Sequence, residues 1–353
     1  MSVGRYAFEG VARKSGKPFD VKKILGRDVK WVKEGVALAQ RCADKFGLEA
    51  KIKVEDCPTC GVHNHRHYVT VWGWDYVECN ECRHIFLSEP PSDETIKRFY
   101  AGAGVTYGEE DANWHDVIYG VHEEDRALFD TRVKLIYQAK LEWAQEFVSK
   151  GVYLDVACAT GESVKAGKTL GWDATGIDSD PKLVVYGRAL GANLLCDYFD
   201  ASNAAKYLKD VDLVSCMNTL EHWNDPKGWC SMVAENMKSG ATLMIEVPRT
   251  PSLSVFANKV LPNLAYRGLT PPHHPHIFSE RSLEICMENA KLKTIAVWTF
   301  GQDMEDLLKC SWVNADLNQE PEIDEYLECT PEVQQALDDT GFANTLMILA
   351  QKT

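Results

Sequence analysis

The stretch Leu154–Glu162, LDVACATGE, decides the fold, because it joins an apolar strand to an amphipathic helix through a short loop of small residues. From Gly151 onward, short apolar runs alternate with helical stretches. Strands separated by helices of this length predict right-handed crossovers and a parallel sheet that is covered on both faces. The predicted strands are Val152–Ala157, Ala174–Ile177, Leu194–Cys196, Val211–Met217 and Leu243–Val247, followed by Thr294–Phe300 and Asn344–Ala350.

Acidic residues stand near the ends of three consecutive predicted strands. Asp155 is close to the end of the first, Asp178 ends the second, and Asp197 follows the third. The carboxyl ends of parallel strands meet at one edge of the sheet, where proteins of this architecture bind their ligands. We therefore expect a ligand site at this edge.

The order and separation of these motifs resemble those of the class I S-adenosylmethionine-dependent methyltransferases over roughly residues 151–300. The resemblance implies an α/β fold with a doubly wound, mostly parallel seven-stranded sheet, and S-adenosylmethionine as the cofactor. It also implies that Asp178 binds both ribose hydroxyls and that Asp197 reaches the adenine amino group. The cofactor-binding residues that it predicts are Asp155, Ala157, Cys158, Ala159, Gly161, Asp178, Asp197 and Asn218.

The loop departs from the family pattern at two positions. Ala157 and Ala159 stand where the family has its first two glycines, and only Gly161 is kept. Alanine is expected there only with a negative φ and with room for its methyl group. Binding of a nicotinamide dinucleotide is a weaker interpretation, because the Gly-x-Gly-x-x-Gly spacing that suits a pyrophosphate is absent.

The first candidate catalytic residues follow the fourth predicted strand. Residues Asn218–Pro226, NTLEHWNDP, resemble an element found after this strand in many small-molecule methyltransferases. His222 is the predicted general base, since a neutral imidazole with an ordinary pKa of about 6.5 can take a proton from an oxygen or carbon acceptor. Glu221 is expected to orient that imidazole or to face the cofactor. The alternative is a structural histidine at a helix start.

A second group of candidates lies in Pro271–Ser279, PPHHPHIFS, a segment that also resembles one of the family. His273, His274 and His276 could line the acceptor pocket or bind a divalent metal beside a sugar diol. The alternative is a rigid loop that carries ordinary histidines. Ser279 is the predicted N-cap of the next helix.

Two Cys-x-x-Cys pairs, Cys57–Cys60 and Cys79–Cys82, predict a structural zinc site, because 18 residues separate them. Four thiolates, from Cys57, Cys60, Cys79 and Cys82, close a tetrahedron around Zn²⁺ and leave no open position. The 12 cysteines of the chain fit a reducing compartment. Such a ribbon, followed by Pro90-Pro91-Ser92, resembles bacterial methyltransferases of sugar and specialised-metabolite pathways. The resemblance implies a small polar acceptor, such as a nucleotide-linked sugar, that is methylated on oxygen or carbon.

The formal net charge of the 353-residue chain is −14 and is unevenly distributed. Residues 1–90 hold 15 basic and 12 acidic side chains, whereas residues 301–340 hold 12 acidic side chains and one Lys. The acidic remainder argues against nucleic acid as a partner, because phosphate binding depends on Lys and Arg. No stretch reaches the roughly 18 apolar residues of a membrane span, and the opening residues lack a signal-peptide pattern. We therefore expect a cytoplasmic protein.

Composition divides the chain into four predicted segments. They are a basic helical segment at 1–55, the zinc ribbon at 56–90, a helical connector or cap at 91–150, and the cofactor domain at 151–353 with an acidic helical insertion at about 301–340. Two other functions compete with a small-molecule enzyme. An RNA methyltransferase would use the ribbon and the 12 basic side chains of residues 11–53. A non-catalytic scaffold that no longer binds the cofactor would explain why Ala157 and Ala159 stand in place of the two glycines. The oligomeric state is not predicted.

Overall fold

The computed structural model describes residues 7–17, 29–49, 51–101, 126–264, 268–314, 328 and 330–353. Its strands within these ranges are β1 (Ala12–Ser15), β2 (His65–Val71), β3 (Trp74–Cys79), β4 (Ile85–Leu87), β5 (Val152–Val156), β6 (Asp173–Asp178), β7 (Leu194–Cys196), β8 (Leu213–Met217), β9 (Thr242–Pro248), β10 (His276–Ile277), β11 (Leu292–Phe300) and β12 (Thr345–Lys352).

The helices of the same ranges alternate with the strands of the C-terminal half. They are α1 (Val29–Phe46), α2 (Asp93–Tyr100), α3 (Arg126–Arg132), α4 (Gln138–Gln145), α5 (Glu162–Thr169), α6 (Pro181–Ala189), α7 (Ala204–Leu208), α8 (Pro226–Asn236), α9 (Leu253–Val260), α10 (Glu280–Asn289), α11 (Asp303–Asn314) and α12 (Thr330–Thr340). A π-helical turn, Val133–Tyr137, joins α3 to α4, and Leu220–His222 and Pro262–Leu264 are short 3-10 turns.

Eight strands form the main sheet in the order β1-β11-β12-β9-β8-β5-β6-β7. The strands β9, β8, β5, β6 and β7 are parallel to one another, whereas β12 is antiparallel to both β9 and β11. The prediction of a doubly wound, mostly parallel sheet is therefore confirmed. All seven predicted strands are present, and β1 adds an eighth that pairs in parallel with β11.

Two apolar clusters, one on each face of this sheet, hold it against the helices. Val214 and Ile245 pack with Trp229 of α8, whereas Leu213 and Met244 pack with α4. These five side chains are less than 5% exposed. Neighbouring residues of a strand point to opposite faces of the sheet, so a strand that is buried on both faces needs a continuous apolar run. Burial of each such side chain contributes about 1.5–3 kcal/mol to the stability of the fold.

The ribbon belongs to a second, antiparallel sheet with the order β10-β4-β3-β2. Its edge strand β10 comes from the C-terminal half, where His276 and Ile277 pair with β4. The hydroxyl of Tyr76 donates a hydrogen bond to the carbonyl oxygen of His274 at 2.8 Å. The ribbon therefore supports the histidine segment that precedes β10.

The ends of the chain differ in part from the predicted segments. Residues 12–15 of the predicted basic helical segment form β1, and α1 packs against α11. The parts of the predicted helices at 20–28 and of the acidic insertion at 315–327 lie outside the described residues; the described parts of the insertion form α11 and α12. No helix in the described ranges is both long and apolar enough to span a bilayer.

Candidate functional site

The loop between β5 and α5 holds three residues with a left-handed backbone. The angle φ is 56° at Ala157, 49° at Ala159 and 81° at Gly161. The expectation of a negative φ at the two alanines is therefore wrong, and the loop carries a conformation that costs an alanine roughly 1–2 kcal/mol. A larger residue at position 161 is also excluded by a steric clash, because a Cβ atom there would lie 2.7 Å from Leu194 Cδ2.

The carboxylate of Asp178 fastens this loop to the end of β6. Its Oδ2 accepts the backbone N–H of Ala159 at 2.8 Å, and its Oδ1 accepts that of Asp180 at 2.9 Å. A carboxylate has about four acceptor sites, which is more than these two N–H groups use. Asp178 can therefore hold the loop and also accept hydrogen bonds from ribose hydroxyls.

Asp155 lies behind the loop at the end of β5 and is 4% exposed. Burial raises the pKa of its carboxyl to about 7, although the hydroxyls of Ser163 and Ser215 both donate hydrogen bonds to it and act in the opposite direction. The neighbouring charge of Asp178 raises the pKa further. Asp155 therefore keeps its proton to a higher pH than an exposed aspartate does.

A cavity of about 330 Å³ lies at the carboxyl edge of the sheet, between the loop and the end of β7. Its volume falls in the range of small-molecule sites. Asp178 and Asp197 both line it, as the predicted cofactor site requires. Asp197 Oδ2 accepts hydrogen bonds from the Tyr207 hydroxyl at 2.5 Å and from Asn203 Nδ2 at 3.3 Å.

Most of the predicted site residues meet at this cavity. Those that line it are Asp155, Ala157, Cys158, Ala159, Asp178, Asp197, Asn218, His222, His273 and His274. Gly161 is the last residue of the loop and lies against Leu194. Glu221 is fully buried beside His222. The thiol of Cys158 packs against the backbone of β6, where a Cβ on Gly176 would lie 2.5 Å from its Sγ.

His276 is the predicted catalytic residue that the fold places elsewhere. It lies in β10, is 2% exposed, and its Nδ1 is 3.1 Å from Nε2 of the buried His84. Burial lowers the pKa of His276 to about 3 and also lowers that of His84. The two neutral imidazoles pack with Phe278 between the ribbon and the main sheet.

The other three histidines lie close together at one end of the cavity. His222 Nδ1 faces the carbonyl oxygen of His273, and its Nε2 is 3.2 Å from that of Asn218. The ring of Tyr100 lies 5.3 Å from the ring of His222, and the ring of His274 lies 5.1 Å from it. This end of the cavity is the candidate acceptor site.

Glu221 has an unusual environment beneath these histidines. The side chain is 0% exposed, and no side chain of the described residues donates a hydrogen bond to its carboxylate oxygens. Burial raises the pKa of its carboxyl to about 8. One carboxylate oxygen of Glu221, one nitrogen of His222 and one nitrogen of His274 all lie within 4.8 Å of one another. We call these three residues the acceptor-side cluster.

Sequence reasoning missed several residues that line the cavity. Arg132 in α3 is 7% exposed, and its Nη1 is 3.6 Å from Oε1 of Glu162 at the start of α5. Tyr100, Tyr137 and Trp223 add aromatic surface. Arg132 and Tyr137 lie in a passage that sequence reasoning described only as helical, because no local pattern shows that a distant helix covers the cavity.

The predicted metal ligands Cys57, Cys60, Cys79 and Cys82 are brought together in the ribbon. All four Sγ atoms lie within 4.8 Å of one another, with Cys57–Cys82 at 3.6 Å and Cys60–Cys79 at 3.5 Å. A tetrahedral site with 2.3 Å Zn–S bonds has edges of about 3.8 Å. The hydrogen bond from Cys82 lowers the pKa of Cys57 to about 5. The cluster is therefore compatible with zinc.

Comparison with known proteins identifies the family of this chain. Residues 125–297 match the model of a methyltransferase domain family. A ubiquinone biosynthesis O-methyltransferase of Xanthomonas campestris pv. campestris is 31% identical over 186 residues, which are 50% of this chain and 74% of that protein. A ubiquinone biosynthesis O-methyltransferase from Xanthomonas oryzae pv. oryzae is 29% identical over 170 residues, which are 46% of this chain and 67% of that protein.

The chain is also similar to solved structures. A SAM-dependent methyltransferase from Archaeoglobus fulgidus is 20% identical, with 66% of this chain and 99% of that chain covered and a TM-score of 0.44. A magnesium protoporphyrin IX methyltransferase from Synechocystis PCC 6803 with bound SAH is 13% identical. The match covers 74% of this chain and 100% of that chain, with a TM-score of 0.44.

The fold and the site define an α/β protein with a small-molecule cavity at the carboxyl edge of its sheet. The carboxylates of Asp178, at the end of one strand, and of Asp197, directly after the neighbouring strand, line this cavity. With the family match and the relatives, this chain belongs to the class I S-adenosylmethionine-dependent methyltransferases.

Proposed function

We propose that this enzyme methylates a hydroxyl oxygen of a small polar acceptor that lies against His222, His273 and His274. The observation that carries the proposal is the position of these histidines on the same cavity as Asp178 and Asp197. An acceptor beside the histidines would share this cavity with a cofactor held by the two carboxylates. The relatives named O-methyltransferases favour oxygen over carbon as the methylated atom.

S-adenosylmethionine supplies a methyl group on a positively charged sulfur. The acceptor oxygen forms the new O–CH₃ bond while the S–CH₃ bond breaks and leaves its electron pair on sulfur. This in-line displacement depends mainly on position, because the oxygen and the methyl carbon must be held along one axis. The acceptor hydroxyl must also lose its proton. We assign that step to the acceptor-side cluster, in which His222 is the residue that the sequence marks as the base.

The acceptor class follows from the walls of its end of the cavity. Tyr100 and Trp223 offer flat aromatic surface, and the imidazoles offer polar groups. Such a site suits a compact, hydroxylated molecule, and a nucleotide-linked sugar is the acceptor that the ribbon architecture favours. A long nucleic acid is not favoured, because of the acidic charge of residues 91–353, which hold 23 basic and 40 acidic side chains.

The test is transfer of an isotopically labelled methyl group to a panel of nucleotide-linked sugars, free sugars and phenols. We expect a product with a new O–CH₃ group, identified by NMR and mass spectrometry. The His222→Ala variant should lower kcat while S-adenosylmethionine binding is kept. The exposed histidine His67 of the ribbon provides the matched control, and His67→Ala should leave turnover unchanged. A C-methylated product, or unchanged turnover of His222→Ala, would contradict the proposal.

A further inference from the structure

We propose that Tyr207 determines the base specificity of the cofactor site, because it holds the carboxylate of Asp197 ready to accept a hydrogen bond from the amino group of adenine. Tyr207 is a positioning residue: Asp197 lines the cavity, whereas Tyr207 lies outside the lining that the described residues form. The inference rests on the proposed function, since it concerns the methyl donor which that function requires.

The first argument is the pair of hydrogen bonds on the Asp197 carboxylate. The hydroxyl of Tyr207 donates to Oδ2 at 2.5 Å, and Nδ2 of Asn203 donates to the same oxygen at 3.3 Å. Among the described residues, both side-chain donors to this carboxylate therefore use Oδ2, and the acceptor sites of Oδ1 remain available. A donor group of a ligand in the cavity can bind Oδ1 without displacing either contact.

The second argument is the direction of the hydrogen bonds at Tyr207. The Nζ atom of the exposed Lys206 is 2.9 Å from the Tyr207 hydroxyl oxygen. An ammonium group only donates and a carboxylate only accepts, so Tyr207 accepts from Lys206 and donates to Asp197. Hydrogen bonds to an ionised acceptor are shorter and stronger than neutral ones, and the 2.5 Å contact is of this kind. Tyr207 therefore fixes the carboxylate more firmly than Asn203 does.

The third argument is that the protein holds both donors in place before a ligand arrives. The ring of Tyr207, in α7, packs against the apolar cluster that contains Phe199. The Asn203 side chain accepts the backbone N–H of Asp200 at 3.0 Å and donates to the carbonyl oxygen of Tyr198 at 2.9 Å. An acceptor whose orientation is already fixed loses less conformational entropy on binding, and this raises affinity.

The chemistry of the base decides which ligands gain from this arrangement. The amino group of adenine is a hydrogen-bond donor and matches the carboxylate. A purine without that group leaves the carboxylate without its ligand partner, and a site built to bind a polar group discriminates strongly against an analogue that lacks it. Hypoxanthine carries an oxygen at the same position and would place an acceptor against the carboxylate. We therefore expect selection for adenine through Asp197.

The experiment is calorimetry of the full chain with two ligands, S-adenosylhomocysteine and its analogue that lacks the amino group of the purine. The wild type should prefer S-adenosylhomocysteine at least about 10-fold, which is what one hydrogen bond to a charged group contributes. Tyr207→Phe removes only the hydroxyl and should reduce this preference by at least about 3-fold, while the Kd of the analogue stays unchanged. Tyr68→Phe, at a half-buried tyrosine of β2 in the ribbon, should change neither Kd.

A double variant tests whether Tyr207 acts through Asp197. Asp197→Ala removes the carboxylate and should abolish the preference for S-adenosylhomocysteine over the analogue. Addition of Tyr207→Phe to Asp197→Ala should cause no further change, because two residues that act through one contact have effects that do not add. A further loss of preference in the double variant would contradict the positioning role.

The outcomes separate this inference from the proposed function. A Tyr207→Phe protein that keeps the preference of the wild type would overturn the inference. Equal weakening of both ligands would also overturn it, because that result indicates a general structural effect. A wild type that binds both ligands equally would overturn the inference alone, since the cofactor site would still exist. A wild type that binds neither ligand would contradict the proposed function and the inference with it.

Discussion

The backbone N–H of Asp197 donates a hydrogen bond to the carbonyl oxygen of Asp178 at 3.0 Å, and the side chains of both residues line one cavity. The two aspartates are 19 positions apart in the chain. Parallel pairing of β6 with β7 brings them together, because it aligns the carboxyl ends of the two strands. We expect this pair to contact the adenosine part of S-adenosylmethionine.

Loss of the Asp178 carboxylate should weaken cofactor binding. Asp178→Ala should reduce S-adenosylmethionine affinity by about 2–3 kcal/mol, since hydrogen bonds to a charged group contribute about 1.5–3 kcal/mol each. Calorimetry measures this change. Asp173, exposed at the other end of the same strand, provides the control, and Asp173→Ala should bind normally. An unchanged affinity in Asp178→Ala would show that the ribose contact is misplaced.

Relief of the strained loop should stabilise the protein. Ala159→Gly should raise the free energy of unfolding by up to about 1 kcal/mol, because glycine adopts a positive φ without the penalty that alanine has, although it gains entropy in the unfolded chain. Urea unfolding without cofactor gives the value. Ala166→Gly, at a buried position inside α5, should have the opposite sign. A lower free energy of unfolding in Ala159→Gly would instead mean that the packing of the Ala159 methyl group outweighs the backbone strain.

Substitution of one ribbon cysteine should remove the zinc. Cys79→Ser should lose about one equivalent of zinc, and it should destabilise the ribbon and the histidine segment that the ribbon supports, since structural zinc sites contribute folding energy directly. Atomic absorption and thermal unfolding measure the two effects. Cys196→Ser changes an exposed cysteine outside the ribbon and should keep the metal. Full zinc retention by Cys79→Ser would refute the four-thiolate assignment.

The raised pKa of Asp155 should appear in the pH dependence of stability. The folded protein keeps this proton up to about pH 7, whereas the unfolded chain releases it near the ordinary aspartate pKa of 3.8. The stabilising contribution is therefore fully present at low pH and is lost as the pH rises through about 7. Asp155→Asn should remove up to about 1.4 kcal/mol per pH unit from the slope of unfolding free energy between pH 4 and 7. Urea unfolding across that range tests this, and an unaltered slope would count against it.

Particular residues show how far prediction from the sequence could reach. Cys57, Cys60, Cys79 and Cys82 are predicted by spacing, because short knuckles position their own thiols. Strand β1 is missed because its sequence ARKS is polar and all four residues are exposed, so that only backbone pairing with β11 makes it a strand. His276 and His274 are two residues apart, yet β10 places the first against His84 and leaves the second on the cavity.

The sequence by itself determined the alternation of strands and helices, the metal-ligand spacing and the acidic residues at the strand ends, because these depend on local periodicity and on chain order. Only the tertiary structure decided which side chains share the cavity, since this depends on contacts between distant segments such as Arg132 of α3 and Glu162 of α5. It likewise decided that Ala157 and Ala159 adopt a positive φ, and that Glu221 is buried beside two imidazoles. Packing imposes both features, against the ordinary preferences of those residues.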